Sequence, residues 1–589
     1  MALVYDSLRL HITNDAFYVE SLNAGSRDVL VIDRINCEID LKSDQEDIPP
    51  SLAESKAIYG IFGIIQLVSG SYLIVITERV RVGDILGHTI WKVTKTEILP
   101  YRRSLLNLNE AQTSDNATYL SMLEHALSVE SFYFSSSYDI THSMQRLATV
   151  DAGFHSESLS TRADPRFFWN RHALREFLER PELERFTTPI VQGFVSITSC
   201  FVKGRTFDLV LISRRSTLRA GTRYNVRGTD SNGNAANFVE TEQMLLYARR
   251  ICSIVQTRGS VPLLWSQKAN LKYKPMVKID DDKIKSMTSF NHHFDSQIVT
   301  YGKQIAINLV NHKGMELTLA KEFLGMVNDA KSKDVTYEAF DFHKECGLNK
   351  WDRLSILMDR IALDQEQLGY FMQDRDGKVY MKQTGVFRTN CMDCLDRTNV
   401  VQSLIARRSL LHQLVQLGIF SPGHTLEEEP NLNYLLKQVW ADNADYCSKQ
   451  YAGTGALKTD FTRTGKRTKL GLLKDGYNSA VRYYMNNFTD GFRQDSLDLL
   501  LGNFVVNQVA SSPFPSLQQR RRPKALFITY LIFSAFIIFF LIPAAGFREQ
   551  ISYVIMWAAA TFIVALYVTR HGVDFVNYPS LVHVKSKDD

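Results

Sequence analysis

Cysteine is scarce and follows no pattern: seven residues, at positions 37, 200, 252, 346, 391, 394 and 447, are odd in number and mostly scattered. No disulfide framework can be read from them, so a reducing compartment is the expected setting. Charge of one sign is also lacking. A formal net charge of +5 over 589 residues is too slight for a nucleic-acid partner, and any basic surface must be local. The sequence has no internal repeat and no long low-complexity tract. Residues 1 to 10 have no basic stretch leading into an apolar run, so no cleaved signal peptide is expected. Apolar material is plentiful, and 45% hydrophobic residues over this length is enough for more than one core.

Near the end that material becomes continuous. Residues 525 to 546 hold about one bilayer's thickness of apolar side chains, among them Leu526, Phe527, Ile528, Leu531 and Phe536, and 551 to 569 form a second run. Only Phe547 to Gln550 separates them, a connection so short that it predicts a transmembrane hairpin with both flanks on one side. Arg520, Arg521, Arg522 and Lys524 before the first run and Arg570 after the second place that side in the cytosol. The globular part and a tail over 570–589 are then expected to be cytosolic. Two glycosylation sequons, at Asn116 and Asn487, are inert there.

Upstream, residues 1–180 read as a mixed domain without a catalytic cluster. Strands are expected at Val29–Ile32, Ile61–Val68, Tyr72–Ile76 and Thr89–Val93, and a helix near Thr118–Val129. From 181 to 505 Arg, Gly, Asn and aromatic residues become dense, as where loops converge on a polar site. Residues 506–524 read as a linker ending in the basic collar. The expected class is α/β: an α+β amino-terminal domain, a cysteine-phosphatase-like catalytic domain and a carboxyl-terminal two-helix transmembrane hairpin.

The stretch Arg388 to Asn399 places Cys391 six residues before Arg397, which Thr398 follows. This is the Cys-x5-Arg-Thr loop of cysteine-dependent phosphatases. Val386 and Phe387 predict a strand entering it; Val401, Leu404, Ile405, Leu411 and Val415, closed by Gly418, predict a helix leaving it. A strand, tight loop and helix N-terminus can cradle a phosphate. N–H groups of the loop, from Asn390 through Met392, Cys394, Leu395 and Asp396 to Thr398, would face the anion while the Arg397 guanidinium grips two of its oxygens. The same field is expected to pull the Cys391 pKa to roughly 3.5–7.5, giving a nucleophilic thiolate that the Thr398 hydroxyl steadies. Asp393, beside a dianionic phosphate, is expected to have a raised pKa and to protonate the leaving alkoxide. Asp396 is expected to orient Arg397 or cap the helix. Two further basic stretches, 214–228 with Arg219 and 458–469 with Lys458, supply candidate contacts to the phosphate or substrate.

The loop Arg-Thr-Asn-Cys-Met-Asp-Cys-Leu-Asp-Arg-Thr-Asn resembles the signature of the Sac-domain phosphoinositide phosphatases. Further segments agree: Arg214–Gly228, Asn237–Gln243, Trp265–Gln267, Phe340–Cys346 and Tyr451–Asp460. The resemblance extends through the terminal hairpin and is closest to the membrane-anchored endoplasmic reticulum and Golgi branch. It implies hydrolysis of phosphatidylinositol 4-phosphate, with weaker action on the 3-phosphate, through a phosphocysteine and without metal or cofactor. It implies a phosphoinositide lipid as partner and contact-site proteins as further ones. Lys585 and Lys587 resemble a KxKxx retrieval signal read by coatomer, which implies residence in the endoplasmic reticulum membrane with cycling to the Golgi.

Two rival readings need a different geometry. His343, Cys346, Cys391 and Cys394 have a spacing that zinc allows, although an arginine at 397 sits badly beside a metal cation. A catalytically silent lipid-binding tether would keep the fold without turnover. His292 and His293 are expected to be structural or solvated, and His343 is given no ligand or base role.

Overall fold

The structure, a computed structural model, describes residues 3–23, 25–42, 54–102, 106–347, 350–464, 467–507, 512–514, 533–534 and 546–581. The chain begins with an antiparallel sheet of β1 (Leu8–Ile12), β2 (Ala16–Ser21), β3 (Val29–Asp33), β4 (Ile39–Lys42) and β5 (Glu54–Ile58), in the order β4-β3-β2-β1-β5. Alternating burial, as in Leu8, Leu10 and Ile12 of β1, puts one face on a core.

A second, 13-stranded sheet carries the rest of the body. It starts with β6 (Ile61–Leu67), β7 (Gly70–Ile85) and β8 (His88–Pro100). The helix α1 (Glu110–Leu127) and β9 (Phe132–Phe134) lead to β10 (Val191–Val202), β11 (Arg205–Arg215), β12 (Val239–Tyr247) and β13 (Arg250–Ser260). All these neighbours pair antiparallel, and Val191 of β10 lies opposite Tyr133 of β9, so one sheet takes strands from both sides of the boundary expected at residue 180. After a small hairpin, β14 (Trp265–Gln267) and β15 (Val277–Ile279), the strands become parallel. Helix α2 (Lys283–Tyr301) leads to β16 (Lys303–Asn308), and α3 (Gly314–Ala330) to β17 (Val335–Ala339). The short strands β18 (Phe371–Asp374) and β19 (Val379–Met381) pair off the far end of β13, and β20 (Gly385–Cys391) then enters between β13 and β16, parallel to both. Every residue of β20 is buried, as expected of a parallel strand covered on both faces.

Helix α4 (Asp396–Gln416) leaves β20 and packs Val401, Ile405, Leu410 and Leu414 against Ile305, Ile307 and Phe387. Each such side chain contributes about 1.5–3 kcal/mol on leaving water. Gly418, just past the helix end, takes φ 66°, the left-handed position that glycine adopts most readily. Helices α5 (Pro430–Ala452), α6 (Lys469–Phe488) and α7 (Asp490–Leu501) complete the body.

Three elements clearly exceed their expected lengths, and β8 is one of them, running on to Pro100 instead of ending near Val93. β7 continues past Ile76 because its partly exposed, polar second half pairs with β8, and a ladder of that kind leaves no hydrophobic run to read. Helix α1 begins at Glu110 rather than near Thr118. Asn109 caps it, its Oδ1 accepting the Gln112 N–H at 2.9 Å while its own N–H donates to Gln112 Oε1 at 3.1 Å.

The carboxyl-terminal expectations meet several corrections. Among the described residues no helix is long and apolar enough to cross a membrane. Most of the first apolar run lies outside the described residues, though Phe533 sits 6.5 Å, ring to ring, from Trp557. The second run is helical, within α8 (Phe547–Arg570). Phe547 to Gln550, expected as the connection, form its first turn instead, because Glu549 accepts the Gly546 N–H at 3.3 Å and satisfies that end. Phe547, Ile551, Ile555, Phe562 and Ile563 on α8 are exposed.

The expected free tail is docked as far as Leu581. Asn577 N–H donates to Asn487 O at 2.7 Å and its Oδ1 accepts from Phe492 N–H at 2.8 Å. The N–H groups of Ser580 and Leu581 share the buried Asp495 carboxylate at 2.8 and 3.0 Å, and Leu581 is buried in the core beside α7. The linker is anchored too, Phe514 packing on Tyr119 of α1. Lys585 and Lys587 lie outside the described residues.

Candidate active site

Parallel strands bring their carboxyl ends to one edge, and ligands in such sheets bind there. Cys391 ends β20 beside Ser260 of β13, with Asn308 of β16 beside Asn390. Above that edge opens a cleft of about 350 Å³ lined by Arg223, Arg227, Lys274, Glu316, His343, Cys391, Asp393, Arg397, Lys458 and Arg482. The predicted strand, loop and helix are therefore found, and the helix N-terminus points its dipole at the loop.

The loop is held in an unexpected way. Cys394, at φ 52°, turns its thiol inward, where Sγ donates to Gly259 O at 2.6 Å and accepts the Cys391 N–H at 3.2 Å. Burial pushes that thiol up to about 12. Arg227 donates to Met392 O at 2.8 Å and Asn237 to Asp393 O at 3.1 Å, so side chains grip the loop's carbonyls. Leu395 precedes α4 without a side-chain cap bond.

Cys391 is buried, and burial, with Glu316 and Asp393, raises its pKa against the lowering pull of Arg397. The expected low-pKa thiolate is thus reversed in this arrangement. Burial is the largest cause, and the opposing guanidinium is already engaged: Arg397 Nη1 donates to Leu309 O, Asn311 Oδ1 and Glu316 Oε2 at 3.0, 3.3 and 3.1 Å.

Asp393 is the second reversal. Burial works to raise its pKa, but Arg223 and Arg227 overcome it and hold the carboxyl well below the usual carboxylate range. Arg223 binds it with two bonds, at 2.6 and 3.0 Å, and Arg227 sits 2.7 Å away. An ion pair, rather than a protonated acid, occupies this position. Asp396 neither orients Arg397 nor caps α4 with its side chain; its carboxylate accepts from Leu457 N–H and from Arg482 at 2.5 and 3.3 Å, tying α4 to the loop before Lys458.

Thr398 Oγ1 is buried without a hydrogen-bond partner, so the expected bond to the thiolate is not made, and both amide atoms of Asn390 are likewise unpartnered. Lys458 and Met392 line the cleft as expected. Arg219 does not. Its guanidinium donates to the carbonyls of Arg227 and Gly228 at 2.6 and 3.3 Å, closing the turn that carries Arg227.

Of the stretch 214–228 it is Arg223 and Arg227, rather than the expected Arg219, that line the cleft, and sequence reasoning missed Glu316, Lys274 and Arg482, which have no motif spacing to Cys391. His343, set aside, borders the cleft; burial and the charges of Arg397 and Lys458 lower its pKa. His293 is structural: its Nε2 accepts Arg388 Nε at 2.9 Å and its Nδ1 meets Gly233 O at 2.7 Å. Among the described residues no group of three or more His, Cys, Asp or Glu is arranged to hold a metal ion, which leaves the His343, Cys346, Cys391, Cys394 reading without a site. The other family segments converge on the loop: Gln267 accepts from Arg227 at 2.9 Å, Tyr451 OH at 3.2 Å, and Trp265 lies under the same guanidinium.

Comparison with known proteins agrees with this convergence. The profile described as the SacI homology domain matches residues 59–347. Phosphatidylinositol-3-phosphatase SAC1-B of Danio rerio is 49% identical over 589 residues, covering 100% of both chains. Phosphatidylinositol-3-phosphatase SAC1 of Drosophila melanogaster is 42% identical, over 98% of this chain and 97% of its own. The Saccharomyces cerevisiae protein of the same name is 38% identical over 91% and 87%. With a Cys-x5-Arg loop at the mouth of a cationic cleft and full-length relatives of one kind, the chain belongs to the Sac1 family of phosphoinositide phosphatases.

Proposed function

We propose that the chain hydrolyses the phosphomonoester of phosphatidylinositol 4-phosphate, and the 3-phosphate more weakly, through a phosphocysteine on Cys391. The observation that carries the mechanism is Cys391 at the end of β20 beneath a cleft ringed by Arg223, Arg227, Arg397, Lys458 and Arg482. The Cys391 sulfur bonds to phosphorus as the ester P–O bond breaks, and the inositol alkoxide takes a proton. Water then attacks phosphorus, inorganic phosphate leaves and the thiolate is restored. Phosphate competes with Glu316 for Arg397, and moving that guanidinium onto the equatorial oxygens places its charge where it builds up in the transition state. Phosphate likewise competes with Asp393 for Arg223 and Arg227. A carboxylate released from both, beside a dianion, gains proton affinity and becomes the general acid.

The 4-phosphate preference rests on the family resemblance, whereas the relatives' names specify the 3-phosphate. Turnover of a panel of inositol lipids in vesicles, measured with the full chain, decides between them; preference for phosphotyrosine peptides would overturn both. Absence of turnover on every lipid would favour the silent tether.

The two apolar runs near the carboxyl end support anchoring by a membrane hairpin, with the Lys585 and Lys587 tail on the cytosolic side within reach of coatomer. Replacing both lysines is expected to move the tagged protein from the endoplasmic reticulum toward the Golgi; unchanged placement would assign residence to another signal.

A further inference from the structure

Helix α6 is built inside out. Its buried positions are polar, Asn478, Arg482, Asn486 and Asn487, and Ser479, Arg482, Tyr483 and Asn486 border the cleft. On the outer side Leu470, Leu473, Tyr477 and Tyr484 follow at intervals of three, four and seven residues, which places them on one stripe. They are 79%, 73%, 70% and 57% exposed. Such a stripe ordinarily faces a core; this one faces solvent.

We propose that the stripe is a lipid-docking rim that seats the mouth of the cleft in the headgroup layer of an anionic membrane, an inference that rests on the phosphoinositide reading above. Three features select a bilayer as the occupant. Lys469 and Lys474 flank the stripe and complement anionic lipid, while Asp475 is turned inward onto Arg467 at 2.8 Å. Tyrosine suits headgroup depth, with an apolar ring and a polar tip, and Tyr273, which lines the cleft, and Met276, three residues on in the same loop, are 67% and 72% exposed. Tyr483 OH fastens that loop to α6 through Leu271 O at 2.7 Å. Finally, Asn487 at the end of α6 accepts the Asn577 N–H, so the segment leaving the exposed apolar helix α8 is tied to the same helix. Interfacial helices of this kind sink their apolar face about 5–10 Å into the headgroup boundary.

The test uses the full chain with Leu473→Asp and Tyr477→Asp together, positions outside the cleft lining. Turnover is measured on phosphatidylinositol 4-phosphate in phosphatidylcholine/phosphatidylserine vesicles and on its water-soluble dioctanoyl form in detergent. A loss of about tenfold or more is expected on vesicles, with less than about twofold on the soluble substrate. Undiminished vesicle turnover overturns the proposal, including the case where the substitutions abolish a concentration-dependent dimer, which would assign the stripe to a second copy. If the unsubstituted chain turns over neither substrate, the functional reading has failed and the rim is judged separately. Tryptophan introduced by Leu473→Trp should add fluorescence that brominated lipid quenches in vesicles; added fluorescence that stays unquenched overturns the rim.

Discussion

Replacing Asp393 by Asn separates proton donation from scaffolding. Asn keeps the shape of the side chain and removes both its charge and its proton. For Asp393 to hold a proton at neutral pH, its pKa must climb from below the usual ~3.9 to near 7, which at about 1.36 kcal/mol per unit is at least ~4 kcal/mol. Arg223 and Arg227 make contacts of 2.6 and 2.7 Å with it. A pair at ~4 Å between charge centres near a protein surface contributes roughly 4 kcal/mol, so transfer of the guanidinium groups from carboxylate to phosphate is of the size required. Turnover of the lipid by Asp393→Asn is then expected to fall roughly 10²–10⁴-fold, while an aryl phosphate, whose leaving group needs no proton, loses far less. Both are read as initial rates on the same preparation, with thermal melting alongside. Arg227, whose side chain is 2% exposed, loses its carboxylate in this variant. A broken buried pair costs about 3–5 kcal/mol, and less here because 23% of the Asp393 side chain meets water; a lowered melting temperature is therefore expected. Equal losses on lipid and aryl phosphate would refute proton donation and leave Asp393 as the scaffold of the two arginines.

Cys391→Ser should abolish turnover of both substrates while leaving the fold and lipid binding intact, and any retained turnover would refute the phosphocysteine route. Glu316→Gln removes an acid that raises the Cys391 pKa and engages Arg397; alkylation of Cys391 at neutral pH, followed by mass spectrometry, should speed up several-fold, and an unchanged rate would show that Glu316 does not set the thiol. The depressed pKa of Asp393 contributes stability that is present above its unfolded value of about 3.9 and is lost as pH falls through the lower folded value. Asp393→Asn should therefore flatten the fall of stability with acid below about pH 4; an unaltered slope would count against the ion pair.

The strand, loop and helix around Cys391 were legible because each has a local signature: the Val386 and Phe387 run, the Cys-to-Arg spacing and the helical repeat closed by Gly418. The pKa values were not legible, because they depend on groups far away in the chain. Glu316 reaches Arg397 from the start of α3, and Arg223 and Arg227 reach Asp393 from the loop after β11. The polar half of β7 and the first turns of α1 escaped for a different reason: ladder pairing and a capping box stabilise them without an apolar period. Helix α6 shows the limit of periodicity most clearly. Its stripe is readable from the sequence, but the side of the helix that faces inward follows from the cleft.

The docked segment after α8 changes the mechanics of the body. A globular unit on one flexible tether of about 20 residues would wander by about 25 Å. Here Phe514 is fastened to α1 on the way out, and Asn577, Ser580 and Leu581 are fastened to the α6–α7 region on the way back. The chain between Phe514 and Asn577, α8 included, is therefore attached to the body at both ends, and whatever holds α8 limits the rotation of the body as well as its distance.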